Sequence, residues 1–430
     1  MTMSHLCLLG VATLTLTSAS FAGSDTNADL QARLEAAETR ISELSAATNV
    51  NWLNDARADE IRGLVHDVLA DADTRASLQG SGATAGYNNG FTVGSADGNW
   101  SMTINGLLQT RWTSVDNETP VGNANNGSQW NFDNQRSWLH FSGTIAGDYS
   151  YDVRHNMATG NSNNGQWANG SLALGDWNLT MGTMKAATSR EALIGDQNQL
   201  TLDRLAVMGN TASGAANRAS YIVGQGAMLS YDSDNIGFDF QLFNNQDIAA
   251  AVPSVNNSGY TWNARVEYLV EGNWSQFDTF TSADGGAAGT LIGFSYMGNS
   301  DDDATPSAAT NEDSNTWNLD VQMQFGGSNL YISYGSFSDS TTTGAADTDA
   351  NRLNVMYGIY LDSDWELYGR YVDSDGSTAN TLDGSVVSLG VNNYLSGQNA
   401  KWTTEVTWDD SQVGAATDVT TISTQLQFYF

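Results

Sequence analysis

The sequence predicts an all-β chain, a sixteen-stranded antiparallel transmembrane barrel preceded by a short α-helical segment. Three observations predict it. Apolar and polar residues alternate with period two from Asn99 onward. Short turns interleave with long polar connections. Aromatic residues gather at strand ends, with Trp100 and Trp112, Tyr149, Trp177, Trp365 and Trp408 as examples. Together these are the marks of a barrel that presents one face to lipid and the other to water.

The chain opens on an apolar run containing Leu6, Leu8, Leu9, Val11, Leu14 and Leu16, followed by Ser20-Phe21-Ala22. Small residues at positions 20 and 22 suit signal-peptidase cleavage before Gly23, so residues 1–22 are expected to be a secretory signal. Its n-region departs from the usual pattern in carrying no Lys or Arg. The single Cys, Cys7, falls inside the apolar run, and the mature chain is expected to have no disulfide or Cys-ligated metal. Beyond the signal no run of 18 apolar residues occurs, so any membrane crossing must be made by strands.

Residues 23–80 are expected to form a periplasmic helical segment. Leu30, Leu34, Ala37, Ile41 and Leu44 follow a 4-3-4-3 spacing, a heptad seam with Glu35, Glu38, Arg40 and Glu43 outside it. A seam this short is marginal alone and needs partners. Three copies in a homotrimer would supply them, and a helix packed on its own chain is the alternative. A second helical pattern runs over 52–78, with Ile61, Leu64, Val65, Val68 and Leu69 on one face. Residues 81–98, rich in Gly, Asn and Ser, read as a linker to a barrel domain over 99–430.

Within that domain Trp262, Ala264, Val266 and Tyr268 alternate with Asn263, Arg265 and Glu267. Leu353, Val355, Tyr357 and Ile359 alternate with Arg352, Asn354, Met356 and Tyr360. Sixteen strands are expected at 99–113, 135–146, 149–158, 166–174, 177–185, 224–232, 236–244, 260–269, 290–298, 315–325, 328–338, 350–361, 364–373, 383–394, 399–410 and 419–430. Residues 270–289 read as a long periplasmic connection, and eighteen strands is the alternative count. Soluble sandwiches also alternate, but they lack the rhythm of turn and loop.

The last strand ends Phe428-Tyr429-Phe430. A terminal aromatic residue on a period-two strand resembles the signal that bacterial barrel-assembly machinery reads as an added strand. Outer-membrane lipid and lipopolysaccharide are then expected neighbours.

Sixteen basic residues face 48 acidic ones, a net charge of −32. This excludes general binding to nucleic acid, which needs a basic face. The acidity fits either a solvated surface or carboxylates gathered in loops and lumen. Asp301-Asp302-Asp303 could bridge a calcium ion between loops, though a run of like charge is ordinarily just solvated. His140 and His155 stand apart from any patterned ligand set, no hydrolase or nucleotide motif is present, and no metal, cofactor or catalytic residue is expected. The nearest approach to an enzyme is His140 with Ser142 on one face.

The connection over 186–223 is the longest loop after the fifth expected strand. It carries Arg190, Glu191, Asp196, Asp203, Arg204 and Arg218 among the apolar anchors Leu193, Ile194, Leu200 and Leu202, so it should pack against something. The order Met181-Gly182-Thr183-Met184-Lys185 followed by Arg190-Glu191 resembles the phosphate-selective porin O and P family. The resemblance runs from about Asn99 and is strongest over 136–208. It implies an anion path lined by Arg and Lys. In general porins the third outer loop, between the fifth and sixth strands, folds into the lumen, so the expected function is a water-filled channel for passive diffusion of small hydrophilic solutes and ions, narrowed by this loop. Strand parity turns Arg111, Arg136, Arg154, Arg265, Arg352, Arg370 and Lys401 inward, but also Asp152, Glu267, Glu366 and Glu405. Two arrangements are open: mixed ion pairs that keep the wall polar, or a constriction where Lys185, Arg190 and Arg204 oppose carboxylates. The family's dense basic ladder is not evident in these residues. A structural anchor tethering envelope layers through its N-terminal helices is the competing function.

Overall fold

The computed structural model describes residues 27–49, 62–63, 65–66, 84–117, 129–157, 166–204, 223–244, 260–300, 311–341, 348–376, 383–410 and 419–430. The expected signal over 1–22, most of the second helical pattern, loop residues 205–222 and Asp301–Asp303 lie outside them. Two compact units are present, residues 1–78 and 79–430.

In the first unit α1 spans Asn27–Asn49, and Leu34 and Ile41 are exposed in this single chain. The expected seam of Leu30, Leu34, Ala37, Ile41 and Leu44 falls within this helix.

The second unit is built from strands. A hairpin of β1 (Thr84–Tyr87) and β2 (Phe91–Gly94) precedes sixteen longer strands. These are β3 (Ser101–Asn117), β4 (Gln129–Ile145), β5 (Tyr149–Asn156), β6 (Trp167–Leu174), β7 (Trp177–Lys185), β8 (Val223–Asp232), β9 (Ile236–Asn244) and β10 (Tyr260–Glu271). The series continues with β11 (Ala288–Ser300), β12 (Asn311–Phe325), β13 (Ser328–Thr341), β14 (Thr348–Tyr360), β15 (Trp365–Gly376), β16 (Gly384–Gln398), β17 (Ala400–Asp409) and β18 (Val419–Tyr429). Each pairs antiparallel with the next, and β18 returns to pair with β3 from Val419↔Asn117 to Tyr429↔Leu107. The result is a closed sixteen-stranded barrel, and each expected strand overlaps one observed strand. Residues 81–98, read as a linker, instead contain the hairpin. Asn89 there takes a positive φ of 50° before Gly90, the left-handed turn that Asn tolerates, and it lets Phe91 and Val93 resume the alternation.

Closure satisfies backbone groups that lipid could not. With the edges gone, the side chains sort by face in the reverse of a soluble core. Gln109, Gln241, Asn263, Gln322, Asn354, Ser388, Asn392 and Gln427 are buried, while Phe132, Met181, Leu242, Phe294, Leu319, Leu389 and Trp402 are exposed. The polar set faces the enclosed lumen and the apolar set faces outward, as period two requires.

At one end the connections are tight, as at Gly326-Gly327, where φ of 69° and 126° demands glycine. The exception at this turn end is residues 272–287 between β10 and β11, anticipated as a long connection. They contain a 3-10 turn, Trp274–Asp278, started by a capping box in which Asn273 and Gln276 exchange side-chain and backbone bonds.

The seam is a three-way junction. Strand β18 ends on Phe430, whose backbone exchanges hydrogen bonds of 2.9 and 3.1 Å with Gly106. Just below, β2 takes over the same edge of β3 with Phe91 opposite Ile104. The Phe430 ring lies over Gly106, leaving no room for a Cβ, and stands 6.2 Å from the Phe91 ring. A Gly106→Val substitution should therefore displace Phe430 and cost about 1–3 kcal/mol of overpacking. It should lower the fraction of heat-shifted, folded band on semi-native gels. Gly86→Ala, with open space around its Cβ, should leave that band unchanged.

Candidate functional site

The lumen contains a segment that the strands alone do not account for. Residues 186–204 leave β7, form the short helix α2 (Arg190–Leu193) capped by the Ser189 side chain, and then a 3-10 turn at Asp196–Asn198. Ala186, Ala192, Ile194, Leu200 and Leu202 are buried, and Ile194 and Leu200 join Phe280, Tyr331, Met356 and Tyr368 in one apolar cluster. The last three are lumen-facing residues of β13, β14 and β15, so the loop's apolar anchors pack against the inner wall.

Charge fixes the segment more specifically. Asp196, fully buried, accepts from Arg154 of β5 at 2.5 Å, lies 3.5 Å from Arg136 of β4, and also pairs with Arg204 of its own loop. Burial alone would raise its carboxyl, but Arg154, Arg204, Arg136 and Lys185 outweigh that and hold it well below the usual carboxylate range. Asp203 accepts a two-pronged bond from Arg111 of β3 at 2.6 and 3.1 Å and lies 3.4 Å from Arg136. Its carboxyl too is held low, burial being overcome by Arg111, Arg136 and Arg370.

On the far wall, Glu191 accepts from Arg370 of β15 at 2.9 Å and from Asn354 of β14 at 3.3 Å. Glu405 of β17 accepts from the Leu202 amide at 3.3 Å and from Tyr368 at 2.7 Å. Lys401 donates to the carbonyls of Gln197 and Gln199, and Lys185 to those of Ala192 and Leu193. Arg204 also donates to the carbonyls of Glu191 and Ile194.

Arg190 and Arg265 belong to a second group. Arg265 of β10 bonds Asp320 of β12 at 2.9 Å through both nitrogens and Glu267 at 2.7 Å, and Arg190 lies 3.5 Å from Glu267. Arg190 also donates to the carbonyl of Phe277. Of two further expected residues, Glu366 accepts from Asn329 and Tyr394, and Arg352 donates to Ser374.

Sequence reasoning missed three partners. Asp196 stood out only as one carboxylate among several in the loop, yet it gathers three arginines. Asp320 answers Arg265 from a strand two positions round the barrel. The third is the turn-end connection, whose Asp278 carbonyl accepts from Asn198 at 3.0 Å and whose Phe280 amide donates to Asn198 at 3.3 Å. Residues reaching in from both ends of the barrel thus touch at Asn198. The buried Phe277 and Phe280 in a stretch that is otherwise polar were the available signal.

Among the described residues, no cluster of His, Asp and Glu is arranged to hold a metal. His140 pairs with Asp152 at 2.8 Å rather than with Ser142.

A closed sixteen-stranded antiparallel barrel with an apolar outer face and a polar, charge-lined interior has the architecture of transmembrane β-barrels. Residues 108–318 match the model of the phosphate-selective porin O and P family. Among solved structures, the anion-selective porin of Comamonas acidovorans superposes with a TM-score of 0.52 at 14% identity, over 77% of this chain and all of that one. OmpT of Vibrio cholerae gives 0.50 at 12% identity, over 77% of this chain and 98% of its own. At such identities the likeness is one of fold. No curated protein matches the sequence.

Asp196→Asn should strip the centre from two buried arginines, Arg154 and Arg204, and from the half-buried Arg136, costing roughly 3–5 kcal/mol. Hydrogen exchange of peptides covering 190–204 should accelerate accordingly. The pH dependence follows from the depressed carboxyls. Asp196 and Asp203 contribute stability above the unfolded carboxylate value of about 3.9 and lose it only as pH falls through their lower folded values. Exchange protection of this segment should be flat from neutral pH to about pH 4 and collapse only in stronger acid.

Proposed function

We propose that this chain is an outer-membrane porin, a non-enzymatic, water-filled channel for passive diffusion of small hydrophilic solutes and ions, constricted by the third outer loop over 186–223. The observation that carries this reading is the ionic anchoring of residues 186–204, with Asp196 held by β4 and β5, Asp203 by β3 and Glu191 by β15. A loop tied to strands around the lumen narrows the passage at a fixed depth. Its residues and the wall they face then set the size limit and the charge preference.

In the same proposal the chain is exported by a signal over 1–22. It is assembled through Phe428 and Phe430 by the barrel-insertion machinery, among outer-membrane lipid and lipopolysaccharide. It functions as a homotrimer whose helices over 23–80 lie in the periplasm, the seam Leu30, Leu34, Ala37, Ile41 and Leu44 supplying contacts between copies.

Purified protein added to a planar lipid bilayer should give stepwise conductance. Asp196→Asn should raise the size of each step or make it noisy, because the loop loses its anchor. A protein that inserts but gives no steps would overturn the channel reading. Equal, quiet steps in the variant would overturn the role given to the loop.

A further inference from the structure

Most of the lumen's positive charges are inward but not available; Arg352, bonded to Ser374, is half-buried. Seven arginines carry the ion pairs of the lumen, Arg111, Arg136, Arg154, Arg190, Arg204, Arg265 and Arg370, and no side chain among them is more than 13% exposed. Lys401 is buried against two carbonyls, and Lys185, half-buried, donates to two more. Glu191, Asp196, Asp320, Glu366 and Glu405 are buried as well, but other carboxylates are not. Asp203 keeps 36% of its side chain exposed even with Arg111 on it, and Asp152 keeps 39% while paired with His140. Asp133, opposite Arg111 in the β3–β4 register, is exposed, and so is Asp278 on the turn-end connection.

An ion in transit interacts most strongly with charges it can approach through water, and low-dielectric walls focus that field along the passage. A guanidinium already bonded to a carboxylate and withdrawn from solvent offers it little. An exposed carboxylate is accessible from the passage.

Outside residues 186–204, the sequence of the outer connections adds the same sign. They carry Glu118, Asp247, Asp301-Asp302-Asp303, Asp347, Asp383, Asp410 and Asp418, against Arg218 as their one basic residue.

From this distribution we infer that the channel favours cations and cationic solutes, its arginines serving to anchor the third loop rather than to bind anions. The inference rests on the porin reading and gives it a substrate class. It also separates this lumen from the Arg- and Lys-lined anion path that the family resemblance implies.

The test is the reversal potential of the purified protein in a planar bilayer under a KCl gradient, with Asp133→Asn and Asp152→Asn measured beside it. The expected result is a reversal directed to potassium, with a permeability ratio that falls toward unity in both variants. Asp203→Asn should move it further, since it removes a carboxylate and releases Arg111 together. Because that change also loosens the loop, the two wall variants carry the decision. A chloride-directed or zero reversal, or a potassium preference unmoved by both wall variants, would overturn the inference while leaving the channel in place. Absence of any conductance step would remove the porin reading and this inference with it.

Discussion

Hydrocarbon offers a backbone amide no partner, and this constraint governs most of the molecule's architecture. It forces β18 to return to β3, since an open sheet would leave two unpaired edges in lipid. Closure then divides every strand into an outward and an inward face. The outward face must be apolar, so the groups that make the chain hydrophilic are confined to the lumen, the connections and the N-terminal unit. Gln, Asn and Ser line the inside for this reason, and their buried amides bond one another or loop carbonyls, as Asn263 does with Gln241 and Ala187.

Confinement also explains how the charges are arranged. A guanidinium stays ionised, so inside the barrel it needs a carboxylate or several carbonyls to offset its lost hydration. The strands supply few carboxylates at the right height, and residues 186–204 supply three, at Glu191, Asp196 and Asp203. Wall and loop are therefore complementary halves of one ionic structure. Removing either would leave the other with buried, uncompensated charge. The turn-end connection completes the arrangement from the opposite side, where Phe280 packs on Tyr331 with ring centres 4.8 Å apart.

Much of the barrel was legible because its signal is local. Alternation, turn residues and strand-end aromatics are each properties of about ten consecutive residues, and they located every barrel strand. The hairpin within 81–98 was not legible, since two four-residue strands set among Gly, Asn and Ser carry too little alternation to separate from a linker. The inward charges were readable one at a time through parity, as with Arg111 and Glu405. Their pairing was not, because Arg265 meets Asp320, and Arg370 meets Glu191, across separations that no local pattern encodes. For the same reason Asp196 could not be distinguished from its neighbours until three arginines were seen around it.

The junction at Gly106 has a kinetic meaning. Strand β3 is the first barrel strand made and β18 the last, so the contact between Gln109 and Gln427 spans 318 residues of chain. The ring cannot close until that pairing forms, which places the slowest, most non-local step at the end of assembly. The N-terminal hairpin and Phe430 share an edge that is complete only when both β2 and β18 are in place. A truncated or stalled chain would keep that edge of β3 half-filled, and an incomplete barrel would thereby expose its own unfinished state.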